Sequence, residues 1–193
     1  MSNPNLDLPE DQISAVHALV GKTLKTGWHV TEKASFKAGS TGGNFSVCYL
    51  VEKENQIGFL KAINVLAFLR EDVDLLQAMT EMLNTYNFEK EILTRCRNKN
   101  LTKVSKLLEA SFENIPEFLV PNVYYMIFEK ADGDVRNHIN FTTLVDDAWK
   151  LRSLHNIATG IKQLHGIEIS HQDVKPSNIF VFDKVVSKVG DLG

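Results

Sequence analysis

The sequence has few of the features that mark secreted, membrane-spanning or nucleic-acid-binding proteins. It contains two cysteines, Cys48 and Cys96, which lie in a predicted strand and a predicted helix without ligand-like neighbours and are therefore expected to be buried thiols. The net charge is −3 without a long basic run, which argues against nucleic acid or a membrane surface as a partner. The longest apolar stretch, residues 63–69, cannot span a bilayer, and the polar first residues lack a signal-peptide core. We therefore expect a cytoplasmic protein.

The composition and the apolar pattern indicate a mixed α and β chain with a hydrophobic core. Apolar residues make up 44% and charged residues 23% of the 193 residues, as in soluble proteins of one large or two small domains. Alternating or continuous apolar runs predict strands at residues 45–51, 57–65, 104–112 and 123–129. Helical spacing predicts two amphipathic helices, one with the stripe Met82, Tyr86, Leu93 and Cys96, the other with the face Leu151, Leu154, Ile157, Ile161 and Leu164.

Reactive residue types are concentrated at the end of the sequence, in HQDVKPSN at residues 171–178 and DLG at residues 191–193. Asp173 is a carboxylate that can accept a hydroxyl proton, and Lys175 is a cation two residues further on. Asn178 and Asp191 supply oxygen atoms of the kind that Mg²⁺ prefers. The order and spacing are those of the catalytic and metal-binding loops of protein kinases.

On these motifs the sequence resembles the eukaryotic-type (Hanks-type) Ser/Thr protein kinase family, because Lys175 followed by Pro176 is the Ser/Thr form of the catalytic loop. The resemblance implies an α+β, protein-kinase-like fold with a five-stranded antiparallel small lobe, its αC helix, and an incomplete, mainly helical large lobe. The implied organisation is an N-terminal extension at residues 1–24, the small lobe at 25–129, and the hinge with the start of the large lobe at 130–193.

The resemblance also implies ATP and Mg²⁺ as cofactors and specific roles for the loop residues. Asp173 would be the base or orienting carboxylate, Lys175 would neutralise the transferred phosphoryl group, and Asn178 and Asp191 would hold the metal. Gln172 stands where the family has an Arg that pairs with a phosphorylated activation loop, so switching by that modification is not expected.

A glycine-rich segment and a strand lysine are the expected phosphate contacts. Glycines let backbone amides approach phosphate oxygens, which makes Gly39, Gly42 and Gly43 candidates, although the segment departs from the family's GxGxxG and an ordinary glycine-rich hairpin remains the alternative. Lys61, in GFLK, is similar to the lysine that contacts the α- and β-phosphates.

Lys61 needs an acidic partner if it is buried, and two glutamates compete for this role. At about 100° per residue, Glu89 falls near the centre of the helix stripe, whereas Glu91 points to the opposite side. We expect Glu89 to be the partner, with Glu91 as the alternative.

The expected adenine and ribose contacts follow from the resemblance. Glu129 and Ala131 lie where the hinge backbone would bind adenine, and Asp134 is similar to the carboxylate that accepts a ribose hydroxyl, with helix capping as its alternative role. Phe59 and Phe180 replace the small residue and the leucine that usually enclose the purine. The two rings are expected either to stack on adenine or to crowd it.

The function expected from the sequence is ATP- and Mg²⁺-dependent phosphoryl transfer to a protein hydroxyl, with little activity from a domain that stops at the DLG motif. The alternatives are a nucleotide-binding, pseudokinase-like module acting through a regulatory protein partner and, with less support, a small-molecule phosphotransferase. The apolar face of the second helix is expected to favour self-association if later large-lobe helices do not cover it.

Overall fold

The computed structural model describes residues 9–35, 45–139 and 146–192. These residues form two compact units. The first unit comprises residues up to Asn87 together with Leu108–Phe128, and the second comprises Phe88–Leu107 and the residues from Glu129 onwards. No helix within the described ranges is long and apolar enough to cross a membrane.

The first unit is built on a five-stranded sheet with the order β1-β2-β3-β5-β4. Antiparallel pairing joins β1 to β2 and β2 to β3. A short helix, α1, precedes the sheet, and the long helix α2 follows β3 and continues into the second unit. The bounds are α1 Glu10–Ile13, β1 His29–Lys33, β2 Ser46–Lys53, β3 Gln56–Ile63, α2 Leu75–Asn98, β4 Leu107–Asn114 and β5 Asn122–Glu129.

The core of the first unit lies on one face of this sheet and is covered by the segment that precedes β1. Alternation along β2 and β3 places Tyr49 opposite Leu60, and both side chains are fully buried. Ala15, Val16, Leu19 and Leu24 belong to the same core. The Tyr49 hydroxyl donates to the carbonyl oxygen of Val16 at 2.6 Å. The segment assigned to an N-terminal extension therefore contributes directly to the folded core.

The second unit combines the end of α2 with a small three-stranded sheet, of order β6-β7-β8, and two further helices. Val104, predicted to begin a strand of the larger sheet, instead forms a parallel bridge with Val189 of β8, and β4 starts three residues later. The bounds are β6 Gly133–Asp134, α3 Val135–His138, α4 Asp147–His165, β7 Ile179–Phe182 and β8 Val186–Val189.

The buried face of α4 matches the predicted one only in part. Leu164 is fully buried as predicted and Ile157 packs on the core of the second unit, but Leu151 and Leu154 are exposed, and the buried positions also include Trp149, Ser153, Asn156 and Gly160. Small side chains let the helix lie close to its neighbours: a Cβ on Gly160 would overlap the Val189 side chain and approach the Lys103 carbonyl oxygen to 2.6 Å. Close backbone approach at Gly160, together with the burial of Trp149 and Leu164, therefore selects this face.

Candidate active site

Asp173, Lys175 and Asn178 form one hydrogen-bonded cluster in the loop between α4 and β7. The Lys175 ammonium group donates to Asp173 Oδ2 at 2.6 Å. The Asn178 amide nitrogen donates both to Asp173 Oδ2 and to the Asp173 backbone carbonyl, each at 3.0 Å. Since Asn178 lies in a short 3₁₀ turn, Pro176–Asn178, the turn holds its side chain against Asp173. Asp173, Lys175 and Asn178, which the sequence predicts to act together, are therefore in direct contact.

The Asp173 carboxylate is exposed and surrounded by donors. The hydrogen bond from Lys175 is the main cause that lowers the pKa of Asp173 below its usual value of 3.8, with a further lowering by Asn178. The carboxylate is therefore ionised at neutral pH and can accept a proton or orient a hydroxyl group that approaches from solvent.

Asn178 and Asp191 offer two oxygen donors at the same end of the β7-β8 hairpin. Ile179 pairs with Val189, and the Gly190 amide donates to the Asn178 carbonyl oxygen at 2.9 Å, so the two ligand residues follow directly beyond paired positions. Both contacts of the Asn178 amide nitrogen are to oxygens of Asp173, whereas its Oδ1 accepts from the Ser177 hydroxyl at 3.4 Å and keeps a lone pair for one further contact.

This donor set fits Mg²⁺, which is usually bound by one or two protein side chains together with substrate phosphates and water. Among the described residues, no group of three His, Cys, Asp or Glu side chains could hold a metal ion on its own. A protein-only metal cage is thus not indicated there, whereas a two-ligand site that is completed by a nucleotide agrees with the residues present.

The backbone next to both carboxylates is held in an uncommon conformation. Gln172 has a φ of 62° and Asp191 a φ of 60°. The Asp173 amide donates to the His171 carbonyl at 2.8 Å across a tight turn, and His171 Nε2 contacts the Gly190 carbonyl at 2.9 Å. Since a carbonyl only accepts, Nε2 carries the proton, and the buried Nδ1 has no hydrogen-bond partner among the described residues. His171 therefore joins the catalytic loop to the strand that leads to Asp191.

The start of the predicted hinge is anchored by an ion pair that joins distant parts of the second unit. Both carboxylate oxygens of Glu129 accept from the Lys188 ammonium group, at 2.7 and 2.6 Å. Glu129 also accepts from the Lys106 amide at 2.8 Å, and its own amide donates to the Lys106 carbonyl at 3.1 Å. The side chain of Glu129 thus has a structural role, and only its backbone carbonyl is a candidate for adenine. Ala131, two residues further, is half-buried.

The capping role considered for Asp134 is the one that the structure shows. Asp134 precedes α3, and its Oδ1 accepts from the Asn137 amide at 2.7 Å while Oδ2 accepts from the Asn137 side chain at 2.9 Å.

In the first unit, Lys61 and Phe59 project from the face of β3 opposite to the Leu60 core. Cys48 lies directly opposite Lys61 in the neighbouring strand and is 4% exposed, and both cysteines are buried and free, as predicted. Gly39, Gly42 and Gly43 lie outside the described residues.

The burial of the two competing glutamates differs sharply. In the second unit, Glu89 of α2 is 4% exposed, whereas Glu91 is exposed. This difference favours Glu89 as the inward-facing acid of the helix.

Comparison with known proteins identifies the family of the chain. The family model for the protein kinase domain matches residues 41–193, which is most of the chain. The chain belongs to the protein kinase domain family. The α+β kinase-like fold, with a five-stranded small lobe and an incomplete large lobe, is thereby confirmed.

The relatives of this kinase domain are distant. Mouse mitogen-activated protein kinase 4 is 30% identical over 107 residues, which cover 54% of the chain and 18% of that protein. Rat serine/threonine-protein kinase DCLK1 is 31% identical over 112 residues, covering 52% and 26%. Extracellular signal-regulated kinase 7 of Drosophila melanogaster is 33% identical over 70 residues, covering 36% and 8%. The chain thus spans a minor part of the length of these relatives.

Three residues of the second unit were missed by the sequence reasoning although they hold its predicted site. Lys188 lies 59 positions from its partner Glu129, and Lys106 binds the same carboxylate from another segment. Gly190 directly precedes the DLG motif, and its contacts to Asn178 and His171 fix the approach to Asp191. Lys188 and Gly190 could have been identified from the sequence by their position within three residues of Asp191.

Proposed function

We propose that this kinase domain catalyses ATP- and Mg²⁺-dependent phosphoryl transfer to a serine or threonine hydroxyl of a protein. The observation that carries the proposal is the cluster of Asp173, Lys175 and Asn178, in which a carboxylate, a cation and an amide are joined by hydrogen bonds of 2.6 and 3.0 Å. Phosphoryl transfer needs little covalent chemistry from the protein, so positioning and charge compensation of this kind suffice.

Asp173 would accept the hydroxyl proton of the substrate or orient that hydroxyl for attack. Its lowered pKa keeps it ionised at neutral pH, and its exposure leaves it accessible to a protein substrate. Lys175 would balance the negative charge that gathers on the transferred group. The same ammonium group holds Asp173 in place, so one residue supports both roles.

Asn178 Oδ1 and the Asp191 carboxylate would hold Mg²⁺, which neutralises phosphate charge when bound. The support is the orientation of the Asn178 amide, whose nitrogen is turned toward Asp173. The β7-β8 register brings the residues before β7 and after β8 to one end of the hairpin, which supports a shared metal site.

The nucleotide contacts follow the family pattern with local differences. Lys61 would contact the α- and β-phosphates and pair with Glu89, and the glycines at 39, 42 and 43 would cover the phosphates. The Glu129 carbonyl and the Ala131 backbone would bind adenine. Phe59 and Phe180 would contact the purine, which is favourable for stacked aromatic rings. Asp134 could accept a ribose hydroxyl only through lone pairs that its capping bonds leave over.

The test separates nucleotide binding from transfer. Mg·ATP binding is measured by calorimetry on this chain, and transfer of the γ-phosphate to myelin basic protein is measured on the natural protein as the cell expresses it. We expect Asp173→Asn to lower the transfer rate by about 10²–10⁴-fold. Nucleotide binding should be unchanged. Asp183→Asn makes the same chemical change at the exposed tip of the β7-β8 hairpin and should leave both quantities unchanged.

Each result has a distinct meaning. Transfer that survives Asp173→Asn would refute the role of Asp173. Binding without transfer in the natural protein would favour the pseudokinase-like module instead. Absence of Mg·ATP binding would overturn the proposal.

We also propose that the chain associates with a second copy of itself through α4. Leu151 and Leu154 are three residues apart on this helix and are 68% and 62% exposed, so they form one apolar strip on its surface. Sedimentation velocity over a concentration series should show a dimer that Leu151→Gln with Leu154→Gln dissociates. A wild-type chain that stays monomeric at all concentrations would contradict this.

A further inference from the structure

Gly190 is buried and held from several sides at the end of β8, directly before Asp191. Its amide donates to the Asn178 carbonyl oxygen at 2.9 Å, and its carbonyl accepts from His171 Nε2 at 2.9 Å. One residue therefore joins both proposed metal-ligand positions and the catalytic loop.

The ring of Phe180 occupies the space where a side chain of residue 190 would lie. A Cβ built on Gly190 would overlap Cε2 of Phe180, lie 2.6 Å from Cδ2 of the same ring and lie 3.3 Å from Cβ of Ser105. Real Cβ atoms do not approach other carbons this closely, so any side chain at this position would displace the ring. The aromatic ring thus rests directly on the Gly190 backbone.

Residue 190 is a glycine because a side chain would find no space there, and not because its backbone has a positive φ. Among the glycines of the described residues, those with a positive φ are Gly21, Gly27 and Gly133, and Gly190 is not one of them. An alanine could adopt the backbone of Gly190 without strain. The ring of Phe180 is the main obstacle, and the Ser105 Cβ at 3.3 Å is a smaller one. The large side chain of Phe180 therefore fits against the missing side chain of Gly190.

The position of Phe180 in β7 explains why its ring reaches Gly190. Ile179 and Val181 point into the core of the second unit, where each is 2% exposed, so the intervening Phe180 points to the opposite face. Phe180 is the cross-strand partner of Lys188, two residues before Gly190, and a diagonal contact of this length is within reach of an aromatic side chain.

We propose that Phe180 is a positioning residue for the metal site: by covering Gly190, its ring fixes the backbone that leads into Asp191 and thereby the spacing between the Asp191 carboxylate and the Asn178 amide oxygen. Asp191 has a positive φ, a conformation that persists only where the surroundings hold it. The ring and the two hydrogen bonds of Gly190 supply that restraint. This inference rests on the proposed function, since it concerns the Mg²⁺ that the two residues would hold.

The test is a double-mutant cycle on Gly190→Ala and Phe180→Leu. The quantity measured is the ratio of ATP dissociation constants in EDTA and in excess Mg²⁺, determined by calorimetry, which isolates the contribution of the metal. Gly190→Ala should lower this ratio by about tenfold or more, because the displaced ring shifts the Asp191 backbone. Adding Phe180→Leu should restore the ratio to that of Phe180→Leu alone, because the smaller side chain leaves room for the alanine methyl group.

The matched control is Phe182→Leu, the same substitution two residues further along β7. Phe182 shares the strand face of Phe180 and lies beside Lys188, whose ammonium group is 4.5 Å from its ring, but it is two residues further from the end of the hairpin that carries Gly190. It should leave the ratio unchanged. Circular dichroism and the fluorescence of Trp149 verify that each variant is folded. If Gly190→Ala does not fold, the comparison of Phe180→Leu with Phe182→Leu decides, since only the former should lower the ratio.

The outcomes separate the inference from the proposed function. A ratio that Gly190→Ala leaves unchanged, or that the double variant does not restore, overturns the positioning role. Equal weakening by Phe180→Leu in EDTA and in Mg²⁺ also overturns it and assigns the ring to adenine alone. A wild-type chain that binds ATP with Mg²⁺ while the cycle fails retains the proposed function. A wild-type ratio of one means that Mg²⁺ does not affect ATP binding, and it refutes both the positioning role and the proposed function.

Discussion

The buried cores of the two units differ in their proportions of apolar and polar side chains. The core of the first unit is a continuous cluster of aliphatic and aromatic side chains that includes Tyr49, Leu60 and Ile127, all fully buried. The apolar cluster of the second unit is small, and polar groups such as Ser153, Ser187 and Asn178 are buried around it. The Ser153 and Ser187 hydroxyls are 2.7 Å apart.

This difference indicates how each unit keeps its shape. Apolar burial is non-directional and tolerates small adjustments of side chains, so the first unit can serve as a stable support. Hydrogen bonds are directional and are expensive to leave unsatisfied when buried, so the second unit fixes its atoms more narrowly. The residues that would contact the metal and the substrate hydroxyl lie in the second unit, where directional hydrogen bonds fix the atoms.

The two tryptophans of the chain offer a separate readout for each unit. Trp28 lies in the core of the first unit and Trp149 in the cluster of the second. Variants with Trp149→Phe or Trp28→Phe therefore report the unfolding of one unit each by fluorescence.

The largest expected effect is on the first unit. Leu60→Ala removes a fully buried side chain from the apolar core and should lower the free energy of unfolding by about 2–5 kcal/mol. The loss should be seen in the denaturant transition that Trp28 reports and much less in the transition that Trp149 reports.

The control for Leu60→Ala is Leu76→Ala, the same change in the first unit at a position that is 75% exposed. It should alter stability by no more than about 0.5 kcal/mol. Equal shifts of both tryptophan transitions in Leu60→Ala would show that the two units unfold together, and the comparison between them would then not extend to their stability.

An intermediate effect is expected from Gly160→Ala in the second unit. The added methyl group would overlap Val189 and lie 2.6 Å from the Lys103 carbonyl oxygen. A backbone carbonyl cannot relieve such a clash by changing rotamer, as a side chain can. The Trp149 transition should lose about 1–3 kcal/mol.

Gly166→Ala is the matched control for Gly160→Ala. Gly166 ends the same helix with ordinary helical backbone, and a Cβ there meets only atoms at 3.4 Å. This substitution should be neutral or slightly stabilising. Equal losses at the two glycines would refute the close-approach explanation for the buried face of α4.

The smallest expected effect is a pH dependence that is confined to the first unit. Burial, together with the charge of Lys33, lowers the pKa of His17 below 6.5, despite opposing effects of Glu10 and Asp11. The unfolded chain therefore binds the proton more tightly, and stability should fall as the pH drops below about 6.5. The midpoint of the Trp28 transition should decrease between about pH 7.5 and 5.5 in the wild type but less in His17→Gln.

His155→Gln provides the comparison for His17→Gln, because His155 is exposed in the second unit. It should retain the pH dependence of the Trp28 transition. Loss of that dependence in His155→Gln, or its persistence in His17→Gln, would show that another group is responsible.

The sequence allowed the proximity of Asp173, Lys175 and Asn178 to be predicted because these residues are close along the chain. Asp173, Lys175 and Asn178 lie within six positions, and the hydrogen bonds that join them are local. The order of β2, β3, α2, β4, β5 and α4 was also predicted, since it follows from apolar periodicity, whereas the sheet of β6, β7 and β8 was not. The preference for Glu89 over Glu91 agrees with the burial of Glu89, but its pairing with Lys61 remains a prediction.

What could not be predicted depends on contacts between segments far apart in sequence. The side chain of Glu129 forms an ion pair with Lys188, and no local pattern couples two positions 59 residues apart. Periodicity predicted burial of Leu151 and Leu154 together with Leu164, whereas the structure buries Leu164 with Ser153 and Gly160 and leaves Leu151 and Leu154 exposed.

The sequence by itself determined the chemistry of this protein: which carboxylates, cations and amides are available and at what spacing, because these are properties of residue types and local turns. The tertiary structure decided which of two helix faces is buried and why a glycine precedes Asp191. Both outcomes depend on the space between neighbouring backbones and rings. This space is defined only once segments that are distant in sequence have packed together.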